Sequence, residues 1–238
     1  MKTLVIGAAI IDIIMKIKRL PKSGEDILCS ETMTTVGGCA YNVAGTLRGF
    51  GVEHDLFVPV GRGMYGDMIA GDLENLGYPI LIREEERDNG YCLCLVEEDG
   101  ERTFITVKGA EGCFRSSWFE PLSPDAYDSI YVAGYQVCGG GGRVISGWME
   151  SAGDSLREKR VFFAPGPVIT GIESPVMERI LSVNPILHIN EKEAFDYTKQ
   201  ETVEDCLRYL HSLSLIQASL EAVKLPGEFS KCERQVSS

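Results

Sequence analysis

Three groups of residues in this 238-residue chain have the types and spacing to do chemistry. The first is Gly37-Gly38-Cys39-Ala40-Tyr41-Asn42-Val43-Ala44, a paired-glycine turn with an amide side chain just inside the helix that follows. Such a turn brings backbone close to a small polar ligand. Gly51 and Gly61 then stand where that helix would end and the next strand would finish. The second is Asp12, which we place at the end of the first apolar strand. A carboxylate there is costly to bury unless hydrogen-bonded, and the carboxyl ends of strands in open α/β sheets face the ligand crevice. Position alone leaves two readings level: an acceptor for two neighbouring hydroxyls of a ligand, or a turn-capping Asp. The third is Asn190 with Glu193, three residues apart at a helix start, a spacing that also describes simple capping.

The elements that must position these groups follow from periodicity. Thr3 to Ile11 reads as one buried strand, continuous in apolar and β-branched residues. Residues 40–50 carry Ala40, Val43, Ala44, Leu47 and Phe50 at helical spacing, with Gly49 and Gly51 available to stop the helix. Asp55 to Val60 is the next strand, and Gly66 to Leu76 the next helix. The alternation resumes with a strand at Ser129–Ala133, a helix at Val144–Leu156, a strand at Val161–Ala164, and a helix capped by Ser174 with Pro175 in its first turn. A strand at Ile186–Ile189, a short helix at Glu191–Tyr197 and a helix over Thr202–Leu213 complete it. This rhythm predicts a doubly wound α/β sheet. Residues 90–108 break it with a hairpin turning at Asp99-Gly100. Together with the polar excursion over 13–36, that hairpin predicts a small β lid over a ligand cleft.

Bulk properties narrow the class. A formal charge of -12 opposes nucleic acid and anionic membrane surfaces, and no basic patch overrides it. The apolar stretch Leu4 to Met15 is interrupted by Asp12, is too short to span a bilayer and lacks a cleavage site, so we expect a cytoplasmic protein. Eight cysteines without Cys-x-x-Cys spacing read as small apolar thiols in a reduced compartment. A dinucleotide-binding oxidoreductase fits the alternation but would need Gly-x-Gly-x-x-Gly after the first strand, which is missing.

The array from Gly37 to Gly61 resembles the first signature of the ribokinase-like (PfkB) carbohydrate kinases at every fixed position. The resemblance implies a ribokinase-like, Rossmann-like doubly wound sheet with a β lid (segments about 13–36 and 88–110). It also implies ATP-dependent phosphorylation of a sugar or nucleoside hydroxyl with Mg²⁺. On that resemblance Asp12, Gly37, Gly38 and Asn42 bind the sugar, Arg102 contributes from the lid, Asn190 and Glu193 contact the nucleotide, and Glu193 acts on the metal. Gly61-Arg62-Gly63-Met64-Tyr65-Gly66-Asp67 is similar to a family turn whose last Asp caps a helix, with Gly63 replacing the usual acidic residue. Ala164-Pro165 stands where the family commonly has Asp-Pro. The stretches Val36 to Ala40, Asp88 to Leu93 and Asp99 to Phe104 look most like a bacterial subgroup of sugar kinases without an established substrate. Dimerisation through the lid is implied by the same likeness.

The resemblance extends over residues 1 to about 213. The family's second signature, a Gly-Ala-Gly-Asp turn that supplies base and anion hole, is not found in the sequence, and no strand is expected after Leu213. Residues 214–238 are therefore expected to be foreign to the fold, with a reading-frame shift near codons 214 to 220 as the explanation. Residues 1–213 would form the α/β domain. A second reading of the whole is a non-catalytic sugar- or nucleoside-binding remnant.

Overall fold

The computed structural model describes residues 1–213 and the backbone of Ala218–Glu221. The chain divides into two compact units, Val5–Cys113 and Met1–Leu4 with the residues from Phe114 onward.

In the first unit the order is β1 (Lys2–Ile6, begun in the other unit), β2 (Ile10–Lys16), β3 (Glu31–Gly37), α1 (Cys39–Gly49), β4 (Glu53–Phe57), β5 (Pro59–Val60), α2 (Met64–Asn75), β6 (Ile82–Arg83), β7 (Tyr91–Val96) and β8 (Arg102–Val107). β1 lies beside β4, and β5 pairs with β6. The remaining strands make a four-stranded sheet ordered β3-β2-β7-β8, the small sheet expected from the excursion and the hairpin. β2 runs antiparallel to β3 and parallel to β7, and β7 returns antiparallel as β8. Gly100, at φ 90°, makes the hairpin turn that a side chain would strain. Both helices stop in Schellman motifs. Gly51 N–H donates to Arg48 O and Val52 N–H to Leu47 O, while Gly77 and Tyr78 do the same to Glu74 and Leu73.

The second unit contains α3 (Ser116–Phe119), β9 (Ser129–Ala133), α4 (Gly134–Val137), α5 (Gly140–Ser151), α6 (Gly153–Arg157), β10 (Arg160–Ala164), α7 (Ser174–Leu181), β11 (Ile186–Asn190), α8 (Glu191–Thr198), α9 (Val203–Leu213) and β12 (Ala218–Glu221). Its strands are ordered β12-β11-β10-β9, with the opening of β1 beside β9. β9 through β12 pair in parallel. Ile130, Val132, Val161, Phe163, Leu187 and Ile189, which register places on one face of these strands, are all buried. Val176, Met177 and Ile180 of α7 form a buried apolar stripe, and α7 packs against α5. Among the described residues no helix is long and apolar enough to cross a membrane, and every cysteine is free.

Several boundaries differ from expectation. The apolar run from Thr3 is not one strand: it breaks at Gly7-Ala8-Ala9, so Asp12 belongs to β2 and the small sheet instead of closing the opening strand. The strand expected over 55–60 divides into β4 and β5, and the helix expected over 144–156 divides into α5 and α6 at Ala152. Glu173, not Ser174, is the cap of α7. A strand does follow α9: β12 pairs in register with Leu187–Asn190, backbone pairing that its short run Ala-Ser-Leu-Glu did not announce. The expectation that residues 214–238 are foreign to the fold otherwise falls outside the described residues.

Candidate functional site

The site begins where β2, β3 and α1 meet. Asp12 is the third residue of β2, paired with Thr35 on β3 and Cys92 on β7. β3 ends at Gly37, opposite Ile10. A side-chain carbon built on Gly37 would overlap Asp12 Oδ2 and come within 2.9 Å of its Cγ. The missing side chain at 37 is therefore what admits the carboxylate. Partial burial holds the Asp12 carboxyl above its ordinary range, because the charged form loses water there.

Gly38 adopts φ 104°, which disfavours any side chain, and a carbon added to it would lie 2.6 Å from Ala8 O. That close approach lets Tyr41 N–H donate to Ala8 O at 3.3 Å and fixes the start of α1 on the β1–β2 corner. Gly38 supplies no side-chain cap to α1, and of the first-turn amides Tyr41 N–H is taken by Ala8 O. Asn42 is the fourth residue of the helix and is exposed; its N–H donates to Gly38 O at 2.9 Å. A carboxylate, a glycine turn, uncapped amides and a carboxamide are thus gathered within one unit. Together they offer both acceptors and donors, which is what a vicinal diol needs.

Residues that the sequence reading did not assign hold this arrangement. Asn89, 3 % exposed, accepts from Gly61 N–H at 2.6 Å and donates to Ala9 O at 3.3 Å and Pro59 O at 3.0 Å. Through Ala9 it ties down the corner that leads into Asp12. Glu111, equally buried, accepts from Gly90 N–H and Gly109 N–H, each at 2.8 Å. Asp88 accepts from Tyr65 N–H at 3.1 Å and Gly66 N–H at 2.6 Å, and so caps α2. That role was expected of Asp67, which instead pairs with Arg83. A carbon on Gly63 would come within 2.5 Å of the Asp88 carboxylate, so the glycine there makes the room. The turn-forming Asp88-Asn89-Gly90 was the available signal.

Arg102 is not brought to this cluster. It opens β8 opposite Val96, four residues along and two strands across from Asp12, roughly 16 Å by strand spacing. It is exposed on the small sheet. Tyr41 donates its hydroxyl to Asp72 at 2.5 Å.

In the second unit Asn190 ends β11 and caps α8. Its side chain accepts from Glu193 N–H at 2.8 Å, while the Glu193 carboxylate accepts from Asn190 N–H at 3.2 Å and from Asn190 Nδ2 at 2.8 Å. This is a full capping box. Both carboxylate oxygens are engaged, and the side chain is largely buried. Among the described residues no group of three or more His, Cys, Asp or Glu could hold a metal ion. Glu193 therefore fits a cation only through intervening water, as a hydrated Mg²⁺ allows.

A match to the family described as pfkB family carbohydrate kinase runs over residues 2–227, past the point near 213 where the resemblance had been expected to stop. The Escherichia coli (strain K12) protein named Uncharacterized sugar kinase YegV is 36% identical over 191 residues, 80% of this chain and 58% of its own length. A Ribokinase of Arabidopsis thaliana is 27% identical, covering 83% of this chain and 52% of its own. The chain thus spans a little over half the length of these curated relatives. Among solved structures, ribokinase from Giardia lamblia superposes with a TM-score of 0.75 at 21% identity, over 90% of this chain and 66% of that one. Ribokinase from Cryptococcus neoformans, solved in complex with ADP, superposes with a TM-score of 0.68 at 18% identity, over 92% and 71%. These structures share the parallel sheet and confirm the α/β fold class. By the match over residues 2–227, the chain belongs to the pfkB family of carbohydrate kinases.

Proposed function

We propose that this chain binds a sugar or nucleoside through Asp12, the Gly37-Gly38 turn and Asn42, and that the reaction it serves is ATP-dependent phosphorylation of one of the ligand's hydroxyls. The observation that carries this is the Asp12 carboxylate seated in the space left by Gly37, beside an uncapped helix start. A carboxylate accepts from two neighbouring hydroxyls at once, and the amide and helix N–H groups donate to ligand oxygens. Asn190 and Glu193 would face the nucleotide, with Mg²⁺ neutralising phosphate charge when bound and Glu193 holding its water. A cytoplasmic setting suits the free cysteines. A homodimer through the small sheet is supported by Ile105 and Val107, exposed on the face opposite Asp12.

The second reading is binding of the same ligands without turnover. Calorimetric titration with a panel of pentoses, hexoses and nucleosides, run beside a coupled ADP-release assay, tests both. At least one ligand should bind, and Asp12→Asn and Asn42→Ala should each weaken it about tenfold, the cost of one hydrogen bond to a charged or positioned group. Binding indifferent to both substitutions would sink the proposal. Turnover by the 238-residue chain would retire the second reading.

A further inference from the structure

A groove of about 810 Å³ runs along α5 within the second unit, which holds none of Asp12, Gly37, Gly38 and Asn42. One wall is a stripe of α5, Val144, Gly147, Trp148 and Ser151, spaced at three and four residues and so on one helix face. The other is the end of α3 and the segment after it, with Phe119, Glu120, Leu122, Pro124 and Asp125. No backbone constraint demands glycine at 147: its φ is not left-handed, and a carbon built on it meets no atom within 4 Å. A glycine weakens a helix interior, and here its effect is to keep the groove open. The floor is aromatic. Trp148 is half-buried, with its ring centroid 5.2 Å from that of Phe119, which is 4% exposed.

The charges around this floor do not balance. Arg143, at the N-terminal end of the stripe, has Nε and Nη2 engaged with Glu173 Oε2 at 3.2 and 3.0 Å. Asp125 accepts from Ser155 Oγ at 2.6 Å and has Lys159 Nζ 4.0 Å away. Glu120, exposed and next in sequence to Phe119, makes no hydrogen bond or ion pair with another described residue. The unanswered charge is therefore negative and lies beside an aromatic floor. That combination complements a cation on an apolar body, because the carboxylate pairs with the cation while the indole attracts it and covers the body. An anion is repelled by Glu120, and a second copy of a chain with formal charge -12 brings the wrong sign. We infer that the groove is a binding site for a primary amine carried on a flat apolar body, its ammonium on Glu120 and its body over Trp148 in the space beside Gly147. The site shares no residue with the polyol cluster or with Asn190 and Glu193.

The test is titration of the full chain with three probes of matched shape, phenethylamine, phenethyl alcohol and hydrocinnamate, followed by calorimetry and by tryptophan emission. Phenethylamine should saturate and bind about tenfold more tightly than the alcohol, the joint scale of a cation–π contact and a partly exposed ion pair, and hydrocinnamate should bind more weakly than either. Glu120→Gln should bring the amine down to the affinity of the alcohol and leave the alcohol unchanged. Gly147→Leu should fill the groove and weaken both by at least about tenfold, and it should fold, since leucine is the better helix former. The chain has two tryptophans, and Trp148→Phe should remove most of the emission change. Amine bound no better than the alcohol or the acid overturns the proposal, as does an absence of saturation or an amine affinity untouched by Glu120→Gln. Amine binding that survives Gly147→Leu also overturns it, since adsorption on the acidic surface at large needs no groove. An emission change that survives Trp148→Phe places the amine elsewhere and does the same. Should Gly147→Leu fail to fold, Glu120→Gln, a change at an exposed side chain, still decides.

Discussion

Asp12 and Gly37 share one volume: the carboxylate of the first occupies the space that any side chain on the second would fill. Gly37 has no left-handed backbone requirement, so its role is steric alone. Gly37→Ala should therefore fold, while its methyl group pushes the Asp12 carboxylate away. Ligand affinity should drop by about tenfold or more, the scale of a lost charge-assisted hydrogen bond. In Asp12→Asn/Gly37→Ala the two losses should be less than additive, because both act on one group. Full additivity in calorimetric Kd values would show that Gly37 acts elsewhere.

The raised Asp12 pKa carries a sign for stability. Between its ordinary value of 3.8 and its higher folded value, the native state holds a proton that the unfolded state has released. Stability from this group is complete below pH 3.8 and is lost as pH rises through the folded value. Asp12→Asn removes that dependence. The variant should melt at a higher temperature than wild type at pH 7, and the gap should close toward pH 4. A gap that is constant with pH would place the carboxylate in water.

Much of this architecture was legible because local pattern and tertiary burial agree. Ser129–Ala133 and the hairpin at 91–107 carry their periodicity in their own residues, and the glycines at 51, 77 and 100 mark real stops. Asp12 was misplaced for a physical reason. The apolar run carries no boundary of its own, and the break at Gly7-Ala8-Ala9 comes from distant partners: Tyr41 N–H on Ala8 O and Asn89 Nδ2 on Ala9 O. The cap of α2 was hidden likewise, since Asp88 is 22 residues from the amide of Gly66. Arg102 shared a motif with the site but lies roughly 16 Å from Asp12 by strand spacing, which no motif records.

The two acids at α2 should separate cleanly. Asp88 accepts two first-turn amides, and Asp88→Ala should cost about 1 kcal/mol in urea unfolding, the usual loss of an N-cap. Asp67 makes an exposed ion pair with Arg83, and Asp67→Ala should change stability by less than about 0.5 kcal/mol. Equal costs would mean that Asp67 shares the capping role.

Tyr41 and Asp72 join the helix that carries Asn42 to α2. The hydroxyl donates to Asp72 Oδ2 at 2.5 Å, and His54 Nε2 with Tyr78 Oη, 2.7 Å apart, makes a second brace that reaches Ala44 O. Loss of solvent around the ring, then the hydrogen bond to Asp72 and its charge, push the Tyr41 phenol up to about 12 from 10.0. The folded protein keeps a proton that the unfolded chain gives up between those values. The stabilisation is therefore whole below pH 10 and disappears as pH climbs through about 12. Tyr41→Phe should cost about 1 kcal/mol between pH 7 and 9, and the deficit should shrink above pH 10 as wild type loses the bond that the variant never had. The same substitution loosens the start of α1, so ligand affinity should weaken in parallel with stability. Chemical unfolding across pH with calorimetry at pH 7.5 checks both. A deficit that persists unchanged at pH 11 would assign the cost of Tyr41→Phe to packing, leaving the bond to Asp72 without weight.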